Sequence, residues 1–165
     1  MAPAPCDSRI EIARGVDEPM NVPMNTVTDL PFNRLLNLQS ADGGAHLLRL
    51  PAGSQYLNHL GTVHAGALLA LAEAGSGEFL LRALGGVNGV VPVVRRLEAK
   101  FRKPANGTVT ATARVAEGAL DGLRAGLAGR GRALIFVNVE LHDESGAHVL
   151  SASVEWFIAT APAGN

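Results

Sequence analysis

Glu73 is the only charge in the inner part of the apolar stretch Ala65 to Leu84, and at helical spacings of three and four it meets only Leu69, Ala70, Ser76 and Gly77. A carboxylate without a cation in such a setting has a raised pKa and is suited to proton abstraction or nucleophilic attack. The competing reading is a structural carboxylate bonded to backbone across a sheet or to an arginine from another strand. Glu78 differs, because Arg82 follows four residues on in the favourable order, and the pair reads as a solvated rim contact. A second group lies just before or at the start of the same stretch: Asn58, His64 and Ala65, with Gly66 adding no side chain. The free N–H groups of a helix N-terminus attract an oxyanion there. His64 and Glu73 are nine residues apart, roughly 13 Å by helical rise, too far to act on one small reacting group within one chain. The two ends must therefore meet through different subunits.

Positioning these residues requires a buried helix. His64 to Leu84 is apolar almost all round, begins near Thr62 and is stopped by Gly85-Gly86. Before it, Thr28 or Asp29 caps a short helix with Pro31 in its first turn; Phe32, Leu35, Leu36 and Gln39 share its apolar face, and Asp42-Gly43-Gly44 ends it. His46 to Leu50 is a brief strand before Pro51. After the Gly-rich Gly85 to Gly89, Val90 to Val94 reads as a central strand or one continuous with Leu97 to Phe101. The period is then two: Leu97, Ala99 and Phe101 alternate with charges, and Val109 to Val115 alternates with Thr108, Thr110, Thr112 and Arg114. Pro104-Ala105-Asn106-Gly107 is expected to join these runs as a hairpin. Ala133 to His142 and His148 to Ile158 form another around Asp143-Glu144-Ser145-Gly146. Leu120, Leu123, Leu127 and Ala128 have the spacing of a short helix between the hairpins. One buried helix followed by an antiparallel meander is an α+β layout.

The 165 residues are 47% hydrophobic, 4% aromatic and 18% charged, with a net charge of −1. They suit one domain with its own core, spanning about 28–160, between a loose proline-bearing arm at 1–27 and a tail at 161–165. So little charge gives no field for nucleic acid and leaves part of the surface to be covered by another subunit. Cys6 is the only cysteine and lies in the arm, so a disulfide framework is excluded. No continuous apolar stretch suggests a signal peptide or membrane span, and a cytoplasmic protein is expected. His59 and His64 lack partners at metal-ligand spacing, and His46, His142 and His148 fall in or beside strands, so no metal is expected. Neither a GxSxG elbow, a P-loop nor a dinucleotide fingerprint is present.

The run Asn58-His59-Leu60-Gly61-Thr62-Val63-His64-Ala65-Gly66 through Glu73 resembles the hot-dog-fold acyl-CoA thioesterases of the PaaI-like and 4-hydroxybenzoyl-CoA thioesterase groups. Asn58, His64 and Glu73 carry both spacings of their motif. The likeness continues through Phe101-Arg102-Lys103-Pro104-Ala105-Asn106-Gly107 and covers about Leu30 to Ile158. It implies a long helix wrapped by an antiparallel sheet, and a homodimer with shared active sites or a dimer of such dimers. It further implies hydrolysis of an acyl-CoA, with Glu73 as nucleophile or base and the Ala65 N–H polarising the thioester carbonyl. Asn58 would position substrate or water, and His64 would order the loop. Arg102 and Lys103 are candidates for the CoA phosphates, against the alternative of a solvated strand edge. Gly66, Ser76 and Gly77 are candidate substrate contacts, and no cofactor is implied beyond the CoA of the substrate. Ala65 replaces the family's usual second glycine, and Gly77 stands where several relatives have Ser or Thr, with Ser76 one position off. These departures keep a non-catalytic acyl-CoA or fatty-acyl binding module as the alternative. A hydratase or dehydratase ranks lower, since no Asp-to-His pair has its spacing.

Overall fold

The computed structural model describes residues 26–41, 45–86 and 89–161. Almost all of the predicted arm, with Cys6, and residues 162–165 of the tail lie outside them, as do Asp42-Gly43-Gly44. The elements in chain order are α1 (Pro31–Leu35), β1 (Gln39–Ser40), β2 (His46–Leu50), α2 (Ala65–Leu84), β3 (Val90–Phe101), β4 (Val109–Arg114), α3 (Ala119–Arg130), β5 (Arg132–Asp143) and β6 (His148–Thr160). The strands form one antiparallel sheet in the order β1-β2-β4-β5-β6-β3.

The central helix packs on β2, β4, β5 and β6. Its buried residues include Leu68, Leu71, Ala72, Ala74 and Leu80, and they meet the inward rows of β4 to β6, such as Val109, Val137, Val139 and Val154. Each large core side chain of this kind contributes about 1.5–3 kcal/mol through its burial. At Gly75 the helix comes so near β4 that a Cβ would stand 3.0 Å from that of Ala111. The helix ends in left-handed Gly85 (φ 71°), whose N–H closes on Arg82 O, as the Gly85-Gly86 pair predicts. The β5–β6 hairpin and α3 also lie where the sequence puts them. In the hairpin turn, Asp143 Oδ1 accepts from Ser145 Oγ at 2.6 Å, Ser145 N at 3.0 Å and Ala147 N at 3.1 Å. These bonds, the Ser145 hydroxyl foremost, hold its carboxyl below the usual carboxylate range.

Four sequence expectations are corrected. Residues 104–107 do not close a hairpin, for β3 pairs along its whole length with β6 while β4 lies between β2 and β5. Alternation shows that a run is a strand but not which strand it joins, and non-local pairing with the long β6 replaces the local turn. Val90 to Val94 is continuous with Leu97 to Phe101, but β3 is an edge and not a central strand. In α1 the N-cap is Leu30, the helix stops at Leu35, and the predicted face is split: Leu36 packs on the core, but Phe32 and Leu35 are 61% and 76% exposed while Asn33 is buried. Asn33 Nδ2 donates to Val27 O at 2.9 Å, which turns the polar side inward, and Gln39 belongs to β1. Glu78 is no solvated rim residue; it is buried, with Arg82 laid over it. Arg82 Nε donates to Glu78 Oε1 at 2.8 Å, and its Nη2 reaches Leu47 O on β2 at 3.4 Å.

Candidate functional site

At its start, α2 is capped by His64, whose Nδ1 accepts from Gly66 N at 2.9 Å while the His64 backbone N–H donates to Tyr56 O at 2.7 Å. A Cβ on Gly66 would press on that ring at 3.2 Å, so the glycine makes room for the cap. The Ala65 N–H makes no hydrogen bond among the described residues, and Ala65 is exposed. It remains a free donor at the positive end of the helix. Asn58 braces the loop ahead: Oδ1 accepts from Leu60 N (2.9 Å) and Thr62 N (3.2 Å), and Nδ2 donates to Thr62 Oγ1 (3.0 Å). With Thr62, Val63, Ala65, Leu68 and the segment Phe101 to Ala105, it lines a hollow of about 300 Å³. Arg102 and Lys103 are exposed on that rim, and Arg102 Nε donates to Ser151 Oγ at 3.2 Å.

Further along α2, Glu73 lines a second hollow of about 450 Å³ with Val27, Leu30, Ala74, Gly77, Leu80, Leu81, Leu84, Pro92, Val93, Val94 and Trp156. Every other wall residue is uncharged, and the Glu73 carboxylate makes no hydrogen bond or ion pair among the described residues. Burial raises its pKa above the ordinary 4.5. Gly77 leaves the wall open beside Trp156, since a Cβ would sit 3.6 Å from the indole, in ordinary contact.

The structure thus brings together Asn58, Ala65, Arg102 and Lys103, with His64 and Gly66 at the same helix start, and separately Glu73 with Gly77. The two hollows share no residue. Ser76 belongs to neither. It is fully buried, donates Oγ–H to Glu73 O at 2.6 Å and accepts from Trp156 Nε1 at 2.9 Å, so its hydroxyl faces the sheet and is not aimed at a ligand. Sequence reasoning missed Val27, Leu30 and Trp156 as walls. Val27 falls at the end of the predicted arm yet is buried; the only tryptophan of the chain was the available signal for Trp156. Among the described residues no three His, Cys, Asp or Glu side chains gather into a metal-binding group, and no helix is long and apolar enough to cross a membrane.

The sheet order and the long helix laid across it define the hot-dog fold, and solved structures of the thioesterase type share it. The chain belongs to the family described as Domain of unknown function (DUF4442), which matches residues 36–158. No curated protein matches the sequence. Protein PA5026 from Pseudomonas aeruginosa, described as a probable thioesterase, is 25% identical with a TM-score of 0.69, covering 87% of this chain and 97% of that one. Thioesterase HI1161 from Haemophilus influenzae is 20% identical with a TM-score of 0.61, covering 81% and 86% respectively. Protein BH2602 from Bacillus halodurans, solved with CoA, is 23% identical with a TM-score of 0.60, covering 77% and 74%.

Proposed function

We propose that the protein hydrolyses an acyl-CoA thioester to a free acid and CoA in a homodimer with shared active sites. The observation that carries this reading is Glu73, a carboxylate with a raised pKa that among the described residues has no partner and is the only charge on the wall of an apolar hollow. In the deprotonated state it attacks the thioester carbonyl carbon or takes a proton from the attacking water. The free Ala65 N–H receives the developing oxyanion, aided by the positive end of α2. His64 holds that helix start in shape, and Asn58 holds the loop that leads into it. Arg102 and Lys103 offer cations to the CoA phosphates at the rim of the Ala65 hollow. The solved structure of BH2602 with CoA supports that class of ligand.

The layout of β3 supports the dimer in this reading. This edge strand leaves Val91, Val93 and Phe101 exposed and has one side of its backbone unpaired. Its residues 92–94 wall the Glu73 hollow, whereas Phe101 walls the Ala65 hollow. Val93 and Phe101 are eight residues apart in one strand, about 27 Å. Antiparallel pairing of two β3 edges about a dyad near Leu97 sets Val93 opposite the partner's Phe101, so each Glu73 hollow meets the other chain's helix start.

Thiol release from an acyl-CoA panel tests the reading. Glu73→Gln is expected to lower the rate about 10²- to 10⁴-fold with the fold intact; equal release by the variant removes the role given to Glu73. A non-catalytic acyl-CoA binding module is the second reading. It is favoured by one observation, that the Asn58 amide is already engaged by Leu60 and Thr62. Ligand binding without turnover across the panel would decide for it.

A further inference from the structure

The shape of the Glu73 hollow narrows the acyl group. Its walls on α2 come from four successive turns, Glu73/Ala74, Gly77, Leu80/Leu81 and Leu84, so the space is a slot along the helix and not a round chamber. From Glu73 to Leu84 the slot runs about 16 Å by helical rise. Beyond Glu73 the side chains lining it are aliphatic apart from the Trp156 indole, and the one N–H of that ring is already given to Ser76 Oγ. A hydroxyl or amide carried to the far end would find no side-chain partner among the described residues and would lose its hydration. Besides the helix, β3 residues 92–94 and Trp156, the wall includes Leu30 and Val27, the latter in the turn Val27–Asp29. Asn33, itself buried, holds this turn through its bond to Val27 O. The Tyr56 hydroxyl donates to Leu36 O at 2.6 Å and fixes the other end of α1.

We propose that the slot takes a straight, unsubstituted alkyl chain, that Gly77 keeps it open, and that Asn33 is a positioning residue holding Val27 and Leu30 as its outer wall. The proposal rests on reading the hollow as the acyl side of the thioester site. Binding and turnover test the two separately.

The full-length chain is titrated calorimetrically with non-hydrolysable S-alkyl-CoA thioethers carrying ethyl, butyl, octyl and 8-hydroxyoctyl groups, and with S-(4-hydroxybenzyl)-CoA. From butyl to octyl the Kd is expected to fall by up to about fourfold per methylene. The terminal hydroxyl is expected to weaken binding about tenfold to hundredfold. Gly77→Val fills the slot and lowers octyl affinity about tenfold or more, while Gly77→Ala, whose Cβ has room beside Trp156, gives a smaller loss and guards against misfolding. Asn33→Ala weakens octyl binding and leaves ethyl binding unchanged, a chain-length dependence that general destabilisation does not produce. Affinity independent of chain length, strongest binding of the hydroxybenzyl compound, or octyl binding by Gly77→Val equal to wild type overturns the proposal. Chain-length-dependent binding without thiol release from octanoyl-CoA supports the slot and counts against hydrolysis.

Discussion

The two ends of α2 are built on opposite principles. At the start, polar groups are tied to one another and to the backbone: His64 to Gly66, Asn58 to Leu60 and Thr62, with one N–H at Ala65 left over. Halfway along, apolar side chains line a hollow around a single carboxylate that has no partner among the described residues. A pre-set donor costs no rearrangement when charge develops near it, whereas a desolvated carboxylate is held at a cost that makes it reactive. On the proposed thioesterase reading, charge stabilisation falls to the helix start and attack or proton transfer to the helix middle. The two stand about 12 Å apart on one helix, so both ends and hence two chains are required on that reading.

The sharpest break in this comparison is removal of the carboxylate. Besides the loss of turnover, Glu73→Gln should change stability with a defined sign. Burial puts the folded pKa of Glu73 above its ordinary 4.5, so the stability linked to its proton is full below 4.5 and is lost as pH rises through the raised value. The variant lacks that loss, so it should melt above wild type at neutral pH, with the gap closing as pH falls through the raised value and gone below 4.5. The acid limb of wild-type kcat/KM should have its midpoint above 4.5, and a midpoint at or below that value would show a solvated carboxylate.

Next in size is removal of the donor. Ala65 is the first helical residue and His64 before it is extended at φ −63°, ψ 138°, a position and a preceding conformation that accept proline. Ala65→Pro therefore deletes the N–H with the helix start kept, and kcat should fall about 10²- to 10³-fold. Mixing this chain with the Glu73→Gln chain sharpens the comparison further. If each site takes its carboxylate and its donor from different chains, a mixed dimer holds one intact site, and random mixing restores about a quarter of wild-type activity. No recovery would place both groups in one chain.

The third contrast is between the cationic rim at Arg102 and Lys103 and the rest of the site. Replacing both with alanine should raise KM for an acyl-CoA about tenfold at low salt with kcat little changed, and added salt should shrink the difference. A KM unaffected by the double change would return these residues to a solvated strand edge.

How much of this was legible depends on how local each feature is. The buried helix, the β5–β6 hairpin and the isolation of Glu73 rest on spacings within one segment and are visible in sequence. The separation of β3 from β4 is not, because their partners are β6 and β5, far along the chain. Nor is the burial of Glu78: a helix apolar on nearly all sides does not announce which side meets β2. The burial of Asn33 is not visible either, because its partner Val27 O lies in the preceding turn, and the spacing of Phe32, Leu35 and Leu36 does not show which of them reaches the core.

Ser76 gives the smallest effect on activity and the cleanest test of which side of α2 faces the ligand. It lies three residues from Glu73, yet its hydroxyl is enclosed between Glu73 O and the Trp156 indole, 80 positions away in sequence. Ser76→Ala leaves the Trp156 N–H buried without an acceptor, so the melting temperature should fall by an amount corresponding to about 1–3 kcal/mol. Its kcat should change by less than about threefold, since the backbone carbonyl of Glu73, and not its carboxylate, is what the serine touches. A fall in kcat comparable to that of Ala65→Pro, with the melting temperature unchanged, would mean that the hydroxyl points to the substrate and that the helix face assigned to the sheet also works in the site.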